Sequence, residues 1–239
     1  MFKKILFGAL TILLALSLVG CGGKKDNAKK DDAPAQKTEE VAKTPEGSPD
    51  KAVLAYAQLY AYGVIEDENM AAAGMTDKDV EKTQDQVIAP LIEAFKMYPL
   101  SDKSVEEMTA QYIAKLHTAM NITATVKKDD ATNPVVELKA TTINKEGADK
   151  VAKENEDLVA LGMAYGELQA QGLTEDQLKA SDEFQQFALE SINNFINEFP
   201  LNPESSIEVT CKAVEGSDGK MHWAPENPEA VAKFVTGQK

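Results

Sequence analysis

Two histidines are the side chains best suited to proton transfer or metal binding near neutral pH. His117 and His222 lie far apart in the chain, and neither has a second histidine or a glutamate at the spacing that zinc sites use. A lone histidine at a helix end, or beside a tryptophan as His222 is beside Trp223, is typical of a structural position. We therefore expect no catalytic residue and no metal ligand at either histidine.

Acidic runs could hold calcium, because Ca²⁺ prefers carboxylate oxygens. None of them follows the D-x-[DN]-x-[DN]-G spacing of a calcium loop, so we expect solvated surfaces instead. The sequence also has no G-x-S-x-G nucleophile elbow and no glycine-rich phosphate loop. A carboxylate pair that only the fold brings together, as in a glycosidase, would leave no sequence signal. The acidic runs are Glu66-Asp67-Glu68, Asp77-Lys78-Asp79, Asp129-Asp130 and Glu154-Asn155-Glu156-Asp157.

An apolar segment near the N-terminus has the pattern of an export signal. Lys3 and Lys4 precede an uncharged run over residues 5–19. As a helix this run would rise about 22 Å at about 1.5 Å per residue, which is short of the roughly 30 Å hydrocarbon core of a bilayer. The length and the flanking charges are typical of a signal peptide over residues 1–20 and not of a membrane span.

The end of this segment, Leu18-Val19-Gly20-Cys21, resembles the lipobox of bacterial lipoproteins. The resemblance implies that the Cys21 thiolate takes a diacylglyceryl group as a thioether and that a peptidase cleaves between Gly20 and Cys21. Two acyl chains anchor firmly, since each buried CH₂ contributes about 0.8 kcal/mol and one chain binds only marginally. We therefore expect a lipid on Cys21 with palmitate-type chains, no other cofactor, and an extracytoplasmic location at the cell membrane or, in a host that has one, the outer membrane. An ordinary secretory peptide with an accidental cysteine is the alternative.

The charge of the chain excludes several classes of partner. Removal of residues 1–20 would leave 23 lysines, no arginine and 39 acidic residues, a net charge of −16. Nucleic-acid recognition usually needs basic patches and the guanidinium fork, and an acidic surface is repelled by nucleic acid and by anionic headgroups. We expect no nucleic-acid binding and a domain that contacts the membrane only through its lipid.

Residues 21–50 are predicted to form a flexible tether, since they combine charged residues with proline and glycine and contain almost no large apolar side chain. Such a segment buries too little surface to offset the entropy of ordering. As a random coil it would hold the domain on average roughly 30 Å from the lipid. A soluble domain is predicted over residues 51–239.

The apolar spacing in this domain predicts two rounds of helices, each followed by a β-hairpin, with a short last helix near Ala230. Pro90 is expected to kink or restart the second helix, and Pro200 to end the last long helix. Helix starts are predicted at Ser48, Thr76, Ser101 or Ser104, and Thr174. The helix from Thr174 is expected to bury a stripe of Phe184, Phe187, Ala188, Ile192, Phe195, Ile196 and Phe199.

Strand alternation is predicted around Ile122, Val136, Ile207 and Met221, and Cys211 falls on the apolar face of its strand. There cysteine acts as a small hydrophobe, and with Cys21 lipidated only a disulfide to another protein stays open for it. Helix runs followed by antiparallel hairpins predict an α+β fold, either one mixed sheet packed on helices or two weakly related helix–hairpin halves.

The whole layout resembles a family of uncharacterised bacterial lipoproteins, mostly from low-GC bacteria, with a lipobox, a charged tether and helices before each hairpin. The resemblance implies a distant similarity to cystatin-like or nuclear-transport-factor-like folds, in which helices pack on a curved antiparallel sheet and a cleft between them could bind a ligand. It assigns no activity. The residues that carry it are Ser48 to Tyr62, Ala73-Gly74-Met75-Thr76, and the strand pair around Val126 and Val136.

Three functions remain open from the sequence. The first is a non-catalytic binding or accessory module at the cell envelope that contacts a protein or a small ligand, and this is our prediction. The second is an envelope hydrolase acting on wall polymers. The third is the substrate-binding lipoprotein of a transporter, which usually needs two α/β lobes and a longer chain.

Overall fold

The computed structural model of this chain describes residues 44–238. The predicted signal peptide, the lipidation site at Cys21, its cleavage site after Gly20 and most of the predicted tether lie outside these residues. No helix between residues 44 and 238 combines the length and the apolar character that crossing a membrane requires.

The described residues confirm the predicted α+β class. The chain alternates runs of helices with two β-hairpins, as the sequence indicates. The helices are α1 (Pro49–Tyr62), α2 (Asp67–Ala72), α3 (Asp77–Phe95), α4 (Asp102–Met120), α5 (Lys145–Glu154), α6 (Glu156–Ala170), α7 (Glu175–Lys179), α8 (Asp182–Asn197) and α9 (Pro228–Val235). The strands are β1 (Thr123–Lys128), β2 (Val135–Ala140), β3 (Ser205–Glu215) and β4 (Met221–Pro225).

Both hairpins belong to one sheet. Its strand order is β1-β2-β3-β4 with every neighbouring pair antiparallel, so the expectation of a mixed sheet is wrong. The two hairpins join where Val136 of β2 pairs with Val209 of β3. Hydrogen bonding between these inner strands therefore makes the two helix–hairpin rounds one folded unit and not two separate halves.

Helix α1 lies at the centre of the fold, against the sheet on one side and against other helices on the other sides. Its small residues Ala52, Ala55 and Ala57 and its Val53 are fully buried. Small side chains let the backbones of neighbouring elements approach closely, whereas Leu or Phe at these positions would push the sheet away. The helix starts at Pro49, after Ser48, as predicted.

The folded part begins earlier than the predicted boundary at residue 51. The Glu46 backbone N–H donates to the Met221 carbonyl at 2.7 Å, and Glu46 forms a parallel bridge with His222 of β4. A single bridge of this kind produces no alternation of apolar and polar residues in the sequence. The composition of residues 44–50 therefore does not indicate that this segment pairs with β4.

Pro90 lies inside α3, which continues to Phe95, so the predicted restart of this helix is wrong. A proline frees the carbonyl four residues earlier, here that of Gln86. Gln86 is exposed, and water can bond to its carbonyl, which makes the missing helical hydrogen bond tolerable. The helix start predicted at Thr76 is confirmed, and Thr76 forms a capping box with Asp79, the third residue of the helix.

The helix predicted to run from Thr174 to Phe199 is two helices in the structure. The capping box at Thr174 opens only the short α7, and Ser181 caps α8 by accepting a hydrogen bond from the Phe184 backbone N–H. The prediction that Phe187 is buried is also wrong. Its surface is 36% exposed, while the rest of the stripe is buried or partly buried.

Gln185 of α8 explains how the chain turns between these helices. Its Oε1 accepts from the Ser101 backbone N–H at 2.8 Å, and its Nε2 donates to the carbonyls of Pro99 and Leu178 at 2.9 Å each. The side chain is buried, so it satisfies backbone groups at the start of α4 and the end of α7 that water cannot reach.

We predict that Gln185→Leu lowers the free energy of unfolding by roughly 1–3 kcal/mol, because it leaves the Ser101 backbone N–H and the Pro99 carbonyl without their partner in the interior. Urea denaturation followed by circular dichroism measures this loss. Gln186→Leu is the matched control, since Gln186 is exposed and bonds only Glu190. Equal stability of the two variants would contradict the role given to Gln185.

Candidate functional site

The two histidines lie in different surroundings. His117 of α4 is half exposed, with its Nε2 3.6 Å from Glu66 and its ring 5.3 Å from the ring of Tyr62. His222 of β4 is only 3% exposed and contacts Asp218. The structure thus gives the two imidazoles no partner in common, and an acid–base pair of histidines is not formed.

His222 gathers two acidic side chains around it. Its Nε2 is 3.1 Å from both carboxylate oxygens of Asp218, in the turn between β3 and β4. The ligand-type atoms of Glu46, Asp218 and His222 all lie within 4.8 Å of one another. Within residues 44–238 this is the one group of three such side chains close enough to share a metal ion, and we call it the Glu46–Asp218–His222 cluster.

Backbone contacts hold the cluster in place. Asp218 Oδ1 accepts from the Lys220 backbone N–H at 3.0 Å, which closes the turn. This hydrogen bond and then the contact with His222 lower the pKa of Asp218. An ionised carboxylate can only accept, so the Nε2 atom of His222 carries the proton in this contact.

Lys220 supplies the positive charge next to the cluster. Its Nζ is 2.9 Å from Glu46 Oε2, and this ion pair raises the pKa of Lys220. Both side chains are more than half exposed, so the pair contributes little to stability. The net charge of the cluster with Lys220, counting the imidazole as neutral, is −1.

Two glycines enclose the His222 ring. A Cβ at Gly74, whose φ is +63°, would lie 2.3 Å from Cδ2 of the ring, and a Cβ at Gly216 would lie 2.7 Å from the same atom. Only glycine lets both backbones touch the imidazole in this way. The Nδ1 atom is buried and has no hydrogen-bond partner among the described residues.

The start of α3 lies beside the same turn. Asp79 Oδ2 accepts from the backbone N–H and the hydroxyl of Thr76, and from the hydroxyl of Ser217 at 2.9 Å. The hydrogen bonds from Thr76, followed by that from Ser217, lower the pKa of Asp79. The sequence treats Asp79 as a cap alone, whereas the structure shows that it also ties α3 to the β3–β4 turn.

The acidic runs singled out in the sequence serve helix starts and a turn. Asn155 caps α6 by accepting a hydrogen bond from the Leu158 backbone N–H. Glu156 and Asp157 lie in the first turn of this helix, where negative side chains interact favourably with the helix dipole. Asp130 accepts from the backbone N–H groups of Thr132 and Asn133, which lower its pKa. None of these runs contributes to the Glu46–Asp218–His222 cluster.

Cys211 lies on the buried face of β3, as predicted, and is fully buried. Burial, with a smaller effect of the Asp50 charge, raises the pKa of its thiol to about 12. The thiolate is the reactive form of cysteine, so Cys211 has the environment of an inert core residue.

Helices α6 and α8 form an antiparallel pair at the surface. Asn194 donates to Asp157 at 2.9 Å, and the rings of Tyr165 and Phe184 are 6.4 Å apart. Helix α6 is apolar on most of its circumference, yet it buries only Leu158 and Leu161. An apolar helix normally buries its whole surface, so the uncovered side of α6 is unusual for a helix that contacts water.

Met163 of α6 and Phe187 of α8 are the large apolar side chains of this pair that are exposed. Met163 is 61% exposed, and no heavy atom lies within 4 Å of a Cβ placed on Gly166, one turn further along α6. Neither helix contains a lysine, an arginine or a histidine. Their acidic residues are Glu156, Asp157, Glu167, Asp182, Glu183 and Glu190.

Sequence reasoning missed the Glu46–Asp218–His222 cluster because Glu46 lies in the predicted tether. One local signal was present: Asp218 stands four residues before His222 across the predicted turn at Gly216 to Gly219. Nothing in the sequence indicates that residue 46 pairs with β4.

Comparisons with known proteins add no relative. No protein-family model, no curated protein and no solved structure matches the chain. The resemblance to uncharacterised lipoproteins and the similarity to cystatin-like folds stay predictions, and the function must be argued from the residues themselves.

We predict that Gly74→Ala destabilises the fold more than Gly172→Ala. Both glycines have positive φ, where an alanine costs about 1–2 kcal/mol, but a Cβ at Gly172 meets no atom within 4 Å while one at Gly74 meets the His222 ring. The difference in unfolding free energy, measured in urea, therefore reports the contact with His222. Equal losses in the two variants would show that the ring does not press on Gly74.

Proposed function

We propose that this chain is a lipid-anchored extracytoplasmic lipoprotein whose folded domain is a non-catalytic binding or accessory module of the cell envelope. The observation that carries the proposal is Leu18-Val19-Gly20-Cys21 at the end of an uncharged apolar run. A thiol at this position is the acceptor for the diacylglyceryl group, and two acyl chains suffice to hold an acidic domain that membranes otherwise repel.

The surface of α6 and α8 is the part of the domain that supports a binding role best. It combines exposed apolar side chains, Met163 and Phe187, with acidic residues one turn away on the same helices: Glu167 lies four residues after Met163, and Glu183 and Glu190 flank Phe187. Apolar centres with a charged rim are typical of protein interfaces. The charge favours a partner segment with apolar residues and a lysine or arginine rim.

The arrangement of the titratable groups favours binding over catalysis. The Nε2 atom of His222 contacts Asp218, its other nitrogen is buried, and Glu46 is paired with Lys220. A general base must reach the proton that it removes, and the Nε2 atom of His222 is engaged by Asp218 while its Nδ1 atom is buried. The hydrolase alternative would have to rely on the Glu46 and Asp218 carboxylates, whose ligand atoms lie within 4.8 Å of each other but are paired with Lys220 and His222. One four-stranded sheet over the described residues disfavours the two-lobed transporter component.

We predict that Cys21→Ala abolishes incorporation of radiolabelled palmitate in growing cells and moves the protein from the membrane pellet to the soluble fraction. The physical reason is loss of the thioether and of both acyl chains.

Cys211→Ala is the matched control, since Cys211 is the second of two cysteines and is buried in β3. It should keep both the label and the membrane association. Palmitate on the Cys21→Ala protein, or its full retention in the pellet, would overturn the lipid anchor.

We predict that a photoreactive amino acid in place of Met163 crosslinks in cells to a defined partner, and that the same residue in place of Val126 does not. Val126 is also exposed but lies on β1, which packs against β2 and α1. The capture should fall when Glu183 and Glu190 are changed to lysine, because the acidic rim attracts the partner.

Mass spectrometry identifies the crosslinked protein, and its contact segment should be cationic. Equal capture at positions 163 and 126, or capture that does not respond to the lysine substitutions, would reject α6 and α8 as the contact surface.

A further inference from the structure

We propose that Glu46, Asp218 and His222 form a binding site for a divalent transition-metal ion, with Zn²⁺ as the ion that fits its ligand set. The inference does not depend on the lipid anchor or on the α6–α8 surface. The spacing of Asp218 and His222 is its one local signal in the sequence, because the three ligands come from a segment before α1, the β3–β4 turn and strand β4.

The distances suit a small ion. Tetrahedral zinc binds nitrogen and oxygen at about 2.0–2.2 Å, which places neighbouring ligand atoms about 3.3 Å apart. Nε2 of His222 and the oxygens of Asp218 are 3.1 Å apart, and the ligand atoms of all three residues lie within 4.8 Å. An adjustment of about 1.5 Å at most by the exposed Glu46 side chain completes the three-ligand arrangement.

Much of the site is already held in the geometry needed. The His222 ring is 3% exposed and lies between Gly74 and Gly216, so its rotamer is set before an ion arrives. The Asp218 carboxylate is oriented by the Lys220 backbone N–H, and the Glu46 backbone is paired with β4. A ligand set held by backbone contacts loses little conformational entropy on binding.

Lys220 is the cation next to Glu46 in the structure. Its ammonium group is 2.9 Å from Glu46 Oε2, and its side chain is 57% exposed. A flexible exposed lysine can move into solvent at small cost. The ion then replaces Lys220 next to Glu46, and the proton on Nε2 of His222 moves to Nδ1, so the imidazole binds as a neutral ligand.

The ligand types determine which ion is preferred. One imidazole and two carboxylates suit zinc and neighbouring transition metals, while calcium and magnesium prefer six or more oxygens. Glu46 and Asp218 are exposed enough for water to take the remaining positions. Nδ1 has no acceptor among residues 44–238, so the site lacks the second hydrogen bond that tightens most histidine–zinc contacts. We therefore expect micromolar affinity, not nanomolar.

A bound ion would join the segment at residue 46 to the β3–β4 hairpin. In the structure this segment is held to the hairpin by the backbone hydrogen bond from Glu46 to Met221 and by the exposed ion pair between Glu46 and Lys220. Metal binding at this position therefore stabilises the point at which the chain enters the folded domain.

The experiment is a titration of the full-length chain in detergent with Zn²⁺ alone, followed by NMR of the two imidazole rings. The chain has two histidines, so the spectrum separates the proposed site from any other. We expect the His222 ring signals to shift with a one-to-one stoichiometry and EDTA to reverse the shift, while His117 signals stay in place. A thousandfold excess of Mg²⁺ should not compete.

Glu46→Gln and Asp218→Asn are the test variants, because each removes a charge and keeps the backbone contacts; the Asn oxygen still accepts from the Lys220 N–H. Each should weaken Zn²⁺ binding at least tenfold, and unchanged circular dichroism shows that the fold is intact. His117→Gln is the matched control and should bind as the parent does. No His222 shift at 1 mM Zn²⁺, or equal affinity in Asp218→Asn and the parent, overturns the proposal.

Discussion

The close burial of α1 is the constraint on which the rest of this structure depends. Helix α1 contacts the sheet and also helices α2, α3, α4 and α9, so it joins the sheet to these four helices. Ala52, Ala55 and Ala57 are buried without any exposed surface, and their small size sets the distance between the sheet and the helices. Gln58, buried on the same helix, accepts from Asn69 at 3.1 Å and from the Glu66 backbone N–H at 3.3 Å, which fixes α2 against α1. The chain before α1 is thereby placed beside β4, and this placement brings Glu46 to His222.

Charge is distributed unevenly over this domain. Lysines pair with acids around the sheet, as Lys127 and Lys139 do with Glu137, and Lys220 does with Glu46. The edge strand β1 carries Lys127 and Lys128 next to a bulge, an arrangement that discourages pairing with a further strand. Helices α6 and α8 have acidic residues and no basic ones. Negative charge without basic residues thus coincides with exposed apolar side chains on these two helices, and this combination is the basis of the proposed cationic protein partner.

The two proposals rest on different parts of the molecule. The binding function combines a lipid at Cys21 with the α6–α8 surface, whereas the metal site lies where the chain enters the domain. Both proposals bear on how freely the domain can reorient. The predicted tether would let the domain sample many orientations, and a stiffer connection at residue 46 would reduce that freedom. The Glu46–Asp218–His222 cluster is positioned to provide this stiffness by a change in its cation, without any change in the contact surface.

The sequence by itself determined the features that depend on neighbours within a few residues. These include the helix caps at Thr76, Ser101 and Thr174, the alternation of β2 and β3, the burial of Cys211 and the α+β class. The hydrogen bonds of a cap and the period of side chains along a helix or strand involve residues close in sequence, so a local pattern is enough to predict them. Only the tertiary structure decided the features that depend on distant segments. Gln185 breaks the last long helix by bonding Pro99 and Leu178, Phe187 stays exposed because no element covers that side of α8, and Pro90 stays helical because Gln86 faces water. Glu46 lies close to Asp218 and His222 because α1 and β4 pack side by side. The residue pattern of neither segment indicates that it contacts the other.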